Sequence, residues 1–163
     1  MKKKIIVMGV SGCGKSSMGQ RIAEHYGFPF FDGDDFHSET NVAKMRDGIP
    51  LTDEDRFDWL KTLNNVLKSE DDAVVACSAL KPEYRDTLRD GIENLVFVYL
   101  KGDFDTIWQR HQKRDGHYFN GKSMLESQFA TLVEPNGEDA LTVEINQTLD
   151  QVFQQSIDAL ERL

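Results

Sequence analysis

Residues 9 to 16 read Gly-Val-Ser-Gly-Cys-Gly-Lys-Ser, and this octet constrains the chain more than any other stretch. It fills every fixed position of the pattern G-x-x-x-x-G-K-[ST]. An apolar run, Lys4–Met8, precedes it, and a helical pattern, Ser16 to His25, follows it. A glycine-rich loop between a strand and a helix N-terminus turns successive backbone N–H groups onto one point, where they hold phosphate oxygens. Gly9, Gly12 and Gly14 let the backbone come close to an anion. Lys15 is placed to reach β- and γ-phosphates and the Ser16 hydroxyl to hold Mg²⁺, so ATP with Mg²⁺ is the expected ligand. Ser11, Cys13 and Ser17 complete the predicted nucleotide contacts.

Strand and helix patterns alternate beyond this loop. Short apolar runs predict strands at Lys4–Met8, Pro29–Phe31, Ala73–Cys77, Leu95–Leu100 and Leu141–Ile145. Such runs suit strands buried on both faces of a parallel sheet. Thr52-Asp53-Glu54-Asp55 predicts a helix start, with Phe57, Leu60, Leu63 and Leu67 on its buried face. Pro82 opens a helix to about Arg89, and Asp103 caps one over Phe104–Lys113. Ser123-x-x-Glu126 and Thr148-x-x-Gln151 read as capping boxes. The first precedes Leu125–Leu132, and the second a final helix carrying Leu149, Val152, Phe153, Ile157 and Leu160. Alternation of this kind predicts an α/β sandwich around a parallel sheet, as one domain over residues 1–163.

Bulk properties narrow the partners. A chain of 163 residues with 39% hydrophobic and 29% charged content has enough apolar material for one core, and no run long enough for a membrane span. A net charge of −9 argues against nonspecific nucleic-acid binding. Cys13 and Cys77 sit where no disulfide is expected, which points to the cytoplasm.

Ligands of parallel sheets bind at the carboxyl ends of the strands, so the residues just after each strand matter most. After the second strand stands Asp32-Gly33-Asp34-Asp35-Phe36-His37. Three carboxylates this close repel one another, and a cation or hydroxyl donor relieves them. One aspartate could take the proton of an acceptor hydroxyl while another orients metal-bound water; the same letters also suit an acidic turn. Lys44, Arg46 and Arg56 could meet an anionic acceptor, though this charge mix more often marks a solvated helical hairpin. After the third strand, Ser78, Lys81 and Arg85 fall on the ligand side. Lys81 and Arg85, four apart, share a helix face and could hold a carboxylate or phosphate. Arg110 to Lys122 is the most basic stretch of an acidic chain, with Gly116 and Gly121 as hinges. It reads as a mobile lid, over about residues 110–125, that carries Arg110 and Arg114 to the phosphates. The plainer alternative is a solvated helix end favoured by its dipole.

Taken together, these motifs resemble the gluconokinase family. The resemblance rests on Gly9–Ser16, Asp32 to His37, Asn41 to Met45, Gly48-Ile49-Pro50-Leu51, Asp53 to Arg56, Cys77 to Lys81 with Tyr84-Arg85-Asp86, Tyr99 to Gly102, Gly116-His117 and Ser127-Gln128-Phe129. It spans nearly the whole chain. It implies ATP-dependent phosphorylation of D-gluconate at its 6-hydroxyl, a nucleoside-monophosphate-kinase-like P-loop NTPase fold with a five-stranded parallel sheet, and a homodimer. Cys13 stands where the family often has serine.

On this reading Lys15, Asp34 and Arg114 are the expected catalytic groups. Ser16 and Asp32 serve Mg²⁺. Lys81 and Arg85 are the first candidates for the gluconate carboxylate, with His37, Lys44, Arg56, Ser78 and Gln128 as further substrate contacts. The loop from Pro135 to Ala140 is the expected adenine neighbour. Two rival readings are a shikimate or nucleoside monophosphate kinase, and a nucleotide-binding switch. A shikimate kinase usually carries a glycine-rich motif where Cys77 to Lys81 stands. A switch has no use for a dense polar pocket.

Overall fold

The structure, a computed structural model, describes residues 3–112, 122–137 and 139–163. Five strands form one parallel sheet: β1 (Lys4–Met8), β2 (Phe30–Asp32), β3 (Ala73–Ala76), β4 (Leu95–Lys101) and β5 (Leu141–Glu144). Their order is β2-β3-β1-β4-β5. β1 is central and carries the glycine-rich loop at its carboxyl end. Among the described residues the helices are α1 (Lys15–Tyr26), α2 (Glu39–Arg46), α3 (Asp53–Ser69), α4 (Pro82–Arg89), α5 (Phe104–Gln112), α6 (Lys122–Thr131) and α7 (Leu149–Glu161). A 3-10 turn, Gly33–Phe36, follows β2.

The strands lie within a residue of where the apolar runs place them. β2 runs one residue later than expected and draws Asp32 into the sheet beside Ala76. β3 ends one residue early, although the Cys77 N–H still donates to the Val7 carbonyl at 3.1 Å. Ile5 to Met8 and Ala73 to Ala76 are completely enclosed, as central strands of a covered sheet must be. β5 is an edge strand, and only its Val143 is buried.

Capping fixes several helix starts. The Thr52 hydroxyl accepts from the Asp55 N–H at 3.1 Å, and the Asp55 carboxylate accepts from the Thr52 N–H at 3.0 Å. Thr148 and Gln151 repeat the arrangement on α7. Asp103 accepts from the Thr106 N–H at 2.7 Å ahead of α5. Ser123 differs from expectation: α6 already starts at Lys122, so Ser123 lies inside the helix and is not its cap.

Two apolar residues also differ. Phe57 is 48% exposed and Leu149 59% exposed. The buried stripe of α3 begins at Arg56 and continues through Trp59, Leu60, Leu63, Asn64 and Leu67. Phe57 lies about 100° round the helix from that stripe's first residue, with the Lys61 ammonium 4.9 Å from its ring centre. Leu149 is the first residue of α7, outside the stripe of Val152, Ile157 and Leu160. Arg114, His117 and most of the expected lid lie outside the described residues.

Candidate active site

The loop after β1 has the geometry of an anion cradle. Gly9 has φ 152°, and a Cβ there would stand 2.6 Å from Cys13 Sγ and 3.0 Å from the Leu100 carbonyl. Only glycine fits that passage. Gly14 precedes α1, and no side chain caps the helix. Ser38, Thr52 and Thr148 do cap α2, α3 and α7. The first-turn amides of α1 are therefore left for an external acceptor. Lys15 and Ser16 are the first residues of α1, and Ser17 beside them is exposed.

Ser16 Oγ donates to Asp32 Oδ2 at 2.9 Å, and Asp32 Oδ1 accepts from the Asp34 N–H at 3.1 Å. One hydroxyl and one carboxylate thus meet at the mouth of the cradle. No group of three or more metal-binding side chains occurs among the described residues. A metal here would keep most of its coordination for water and phosphate oxygens. That is the habit of Mg²⁺, so these residues fit it.

A cavity opens beside the cradle. Ser11 and Lys15 line it from the loop, Asp34 and His37 from the turn after β2, and Arg56 and Trp59 from α3. Ser78, which follows β3, and Gln128 of α6 close it, with Met45 and Leu51 as apolar wall. Gly33 makes the turn possible, because a Cβ there would collide with the Ala76 carbonyl oxygen. The Gly33 carbonyl accepts from Trp59 Nε1–H at 2.7 Å. The indole stacks on His37 with ring centres 4.1 Å apart.

Enclosure raises the Asp34 carboxyl above the usual carboxylate range; Lys15 opposes this, while Asp32 and Asp35 add to it. Burial, then the Arg56 charge, pushes His37 down to about 4, so its ring is neutral at physiological pH. Arg56 is 7% exposed and its Nη1 donates to the Tyr84 hydroxyl at 3.1 Å. Tyr84 in turn donates to the Asp53 carboxylate. No carboxylate among the described residues comes within ion-pair distance of Arg56. A buried guanidinium facing a cavity with one neutral partner is a strong site for an incoming anion.

Three expected substrate cations do not face the cavity. Lys81 Nζ lies 3.0 Å from Asp53 Oδ1 near the surface. Lys44 Nζ reaches both oxygens of Asp55, at 2.9 and 2.8 Å. Arg85 is 3% exposed and donates to the carbonyls of Ala79 at 2.7 Å and Val133 at 3.0 Å. It braces Ala79, whose φ of 47° is the sole positive value outside glycine among the described residues. Each of these cations has a partner outside the cavity, whereas Arg56 lines it.

The remaining expected residues divide. Gln128 Oε1 accepts from the Ser11 N–H at 2.7 Å, joining α6 to the phosphate loop. Arg110 Nη2 donates to the Ile145 carbonyl at 2.7 Å, past the carboxyl end of β5. Of the expected adenine neighbours, Glu138 lies outside the described residues. Ala140 leads into the amino end of β5, and Gly137, Asp139 and Ala140 line a groove with Leu95 and Leu163. That end of the sheet is opposite the phosphate loop. Trp59, Met45 and Leu51 were missed. Trp59 was findable, because it sits between Arg56 and Leu60 on the α3 stripe.

A phosphate loop after β1 and an acidic turn after β2, both opening on one polar cavity, define a P-loop kinase that acts on small molecules. Comparison with known proteins agrees. Residues 11–161 match the family model described as shikimate kinase. The thermoresistant gluconokinase of Escherichia coli (strain K12) is 43% identical, over 96% of this chain and 93% of that protein. A solved gluconokinase from Sinorhizobium meliloti 1021 superposes with a TM-score of 0.93 at 44% identity, over 99% of this chain and 93% of that one. The shikimate kinase of Aquifex aeolicus vf5 shares the fold alone, at 15% identity, a TM-score of 0.62 and 97% and 96% coverage. The chain belongs to the gluconokinase family, within the larger group that the shikimate kinase model describes.

Proposed function

We propose that this chain transfers the γ-phosphoryl group of ATP to the 6-hydroxyl of D-gluconate, giving 6-phospho-D-gluconate. The observation that carries the reading is that Lys15, Asp34 and Arg56 line one cavity. Phosphoryl transfer asks the protein mainly for positioning and charge neutralisation. Lys15 meets the phosphoryl oxygens. Asp34, enclosed and with a raised carboxyl, accepts the proton of the attacking hydroxyl, for which a base titrating nearer neutrality is better suited. Arg56 pairs with the gluconate carboxylate. Ser78, His37 and Gln128 offer hydrogen bonds to the hydroxyls between. Mg²⁺ on Ser16, with Asp32 behind the hydroxyl, would neutralise phosphate charge when bound.

A lid over about residues 110–125, a homodimer and a cytoplasmic location complete the reading. The exposed ring of Phe57 is apolar surface that a dimer would cover. Cys13 and Cys77 are both buried and form no disulfide, which suits a reducing compartment. No helix among the described residues is long and apolar enough to cross a membrane. Phosphorus NMR of a reaction with gluconate tests the assignment. A phosphomonoester split by the two hydrogens of C6 is expected. ATP hydrolysis to inorganic phosphate alone would refute it.

A further inference from the structure

Asn41 is 4% exposed and packs against the turn that carries the acceptor-side residues. Its side-chain nitrogen donates to the Asp55 carbonyl at 2.9 Å. That contact settles which end of the amide is which, since the amide oxygen in its place would set two acceptors against each other. The same nitrogen lies 3.4 Å from His37 Nδ1 and has a second hydrogen to give. Nδ1 is then the acceptor, and a neutral imidazole carries its one proton on Nε2. Nε2 stands 3.8 Å from Asp34 Oδ1, and the ring lines the cavity. Stacking on Trp59 fixes the ring plane.

We propose that Asn41 is a positioning residue that locks His37 in its Nε2–H tautomer, so that the ring offers one fixed neutral donor beside Asp34. This deepens the gluconate reading and rests on it only for the identity of the acceptor. A hydroxyl seated between the two groups has its oxygen met by Nε2–H and its proton met by the Asp34 carboxylate. The pair is therefore selective for a group that both donates and accepts. An amine protonated at neutral pH has no lone pair to offer Nε2–H. The ring does not compete with Asp34 for the hydroxyl proton, because its one acceptor nitrogen is already occupied by Asn41.

Nitrogen-15 ring spectra of the unliganded protein at neutral pH test the lock. His37 is assigned as the signal missing from His37→Asn. In the unaltered protein Nε2 should be protonated and Nδ1 bare. Asn41→Asp replaces the donor by an acceptor, so Nδ1 should become protonated. Its kcat/KM for gluconate should fall by about 10- to 100-fold, the usual cost of losing an orienting partner, with the KM for ATP changed less than about twofold. Should Asn41→Asp fail to fold, the spectrum of the unaltered protein decides alone. Nδ1–H in the unaltered protein, or an unchanged tautomer in Asn41→Asp, overturns the proposal. The expected tautomers in a protein that does not phosphorylate gluconate would keep the lock and remove the acceptor assignment.

Discussion

Arg56→Ala should separate acceptor binding from nucleotide binding. Arg56 is 7% exposed, faces the cavity, and has the Tyr84 hydroxyl as its hydrogen-bond partner. When gluconate binds, its carboxylate would meet this guanidinium away from water. Truncating one member of a buried, hydrogen-bonded charge pair costs about 2–5 kcal/mol. In Arg56→Ala the cavity can admit water to the orphaned carboxylate, so the lower part of that range applies, about 2–4 kcal/mol. At 1.4 kcal/mol per decade this is about a 30- to 700-fold loss of kcat/KM for gluconate. The KM for ATP should move little. The fold should survive, because Tyr84 keeps its bond to Asp53. Arg56→Lys should recover part of the loss, since it restores the charge but not the two-pronged geometry. Lys81→Ala is the control. Lys81 pairs with Asp53 near the surface, and such pairs contribute about 0.2–1 kcal/mol, so the loss should stay below about fivefold. Steady-state ADP release at varied gluconate and fixed saturating ATP measures all three. A larger loss in Lys81→Ala than in Arg56→Ala would refute the assignment of the carboxylate to Arg56.

Lys15→Ala should fold normally and lose about 10²–10³ in kcat, as removal of one preorganised charge-stabilising group does; an unimpaired variant would remove the phosphate-loop assignment. Asp34→Asn should lower kcat by about 10²–10⁴ while ATP binding is kept, measured by nucleotide titration. The same change should raise thermal stability. Enclosure raises the carboxyl in the folded state, so the native chain holds more protons than the unfolded one between the ordinary carboxylate value and the raised one. Stability falls as pH rises through that window, so above the ordinary carboxylate range Asp34 is a net cost that asparagine removes. Each kcal/mol recovered lifts Tm by about 2–4 °C in a chain of this size, readable by calorimetry; a lower Tm would contradict the raised carboxyl. Asp32→Asn should raise the Mg²⁺ concentration needed for half-maximal rate by about 10- to 100-fold, and chelation should stop turnover in every variant.

The order of the elements and the nucleotide side were legible in the sequence because they rest on local signals. The β1–loop–α1 motif fixes its own geometry, and both Thr52 and Thr148 cap the helices they precede. Asp32 ends β2, one strand removed from β1 across β3, and meets Ser16 at the carboxyl end of the sheet, where ligands of parallel sheets are expected. The acceptor side was less legible. Lys81, Arg85 and Lys44 stand at strand or helix ends on the ligand side, and spacing along the chain shows no more than that. What removes them from the cavity lies on other elements: Asp53 and Asp55 at the start of α3, and the carbonyls of Ala79 and Val133. Arg56 ranked behind them because a polar residue on a helix reads as solvated. Leu60, Leu63 and Leu67 are buried as expected, but Phe57 was put on that face where Arg56 stands. With the stripe at Arg56, Trp59 and Leu60, the cation and the indole of the cavity would have been found together.

With Lys15, Asp34 and Arg56 on one cavity, the chain should select an anionic polyol as phosphoryl acceptor. Initial-rate ADP release, with saturating Mg·ATP and D-gluconate, glucose, shikimate or nucleoside monophosphates as acceptors, tests it most directly. Gluconate should have the highest kcat/KM. Glucose, which lacks the carboxylate, should fall behind by up to about 10⁴, because a site built to pair a polar group is left with an unmatched Arg56. Equal kcat/KM for glucose and gluconate, or a preference for shikimate or a nucleoside monophosphate, would contradict it.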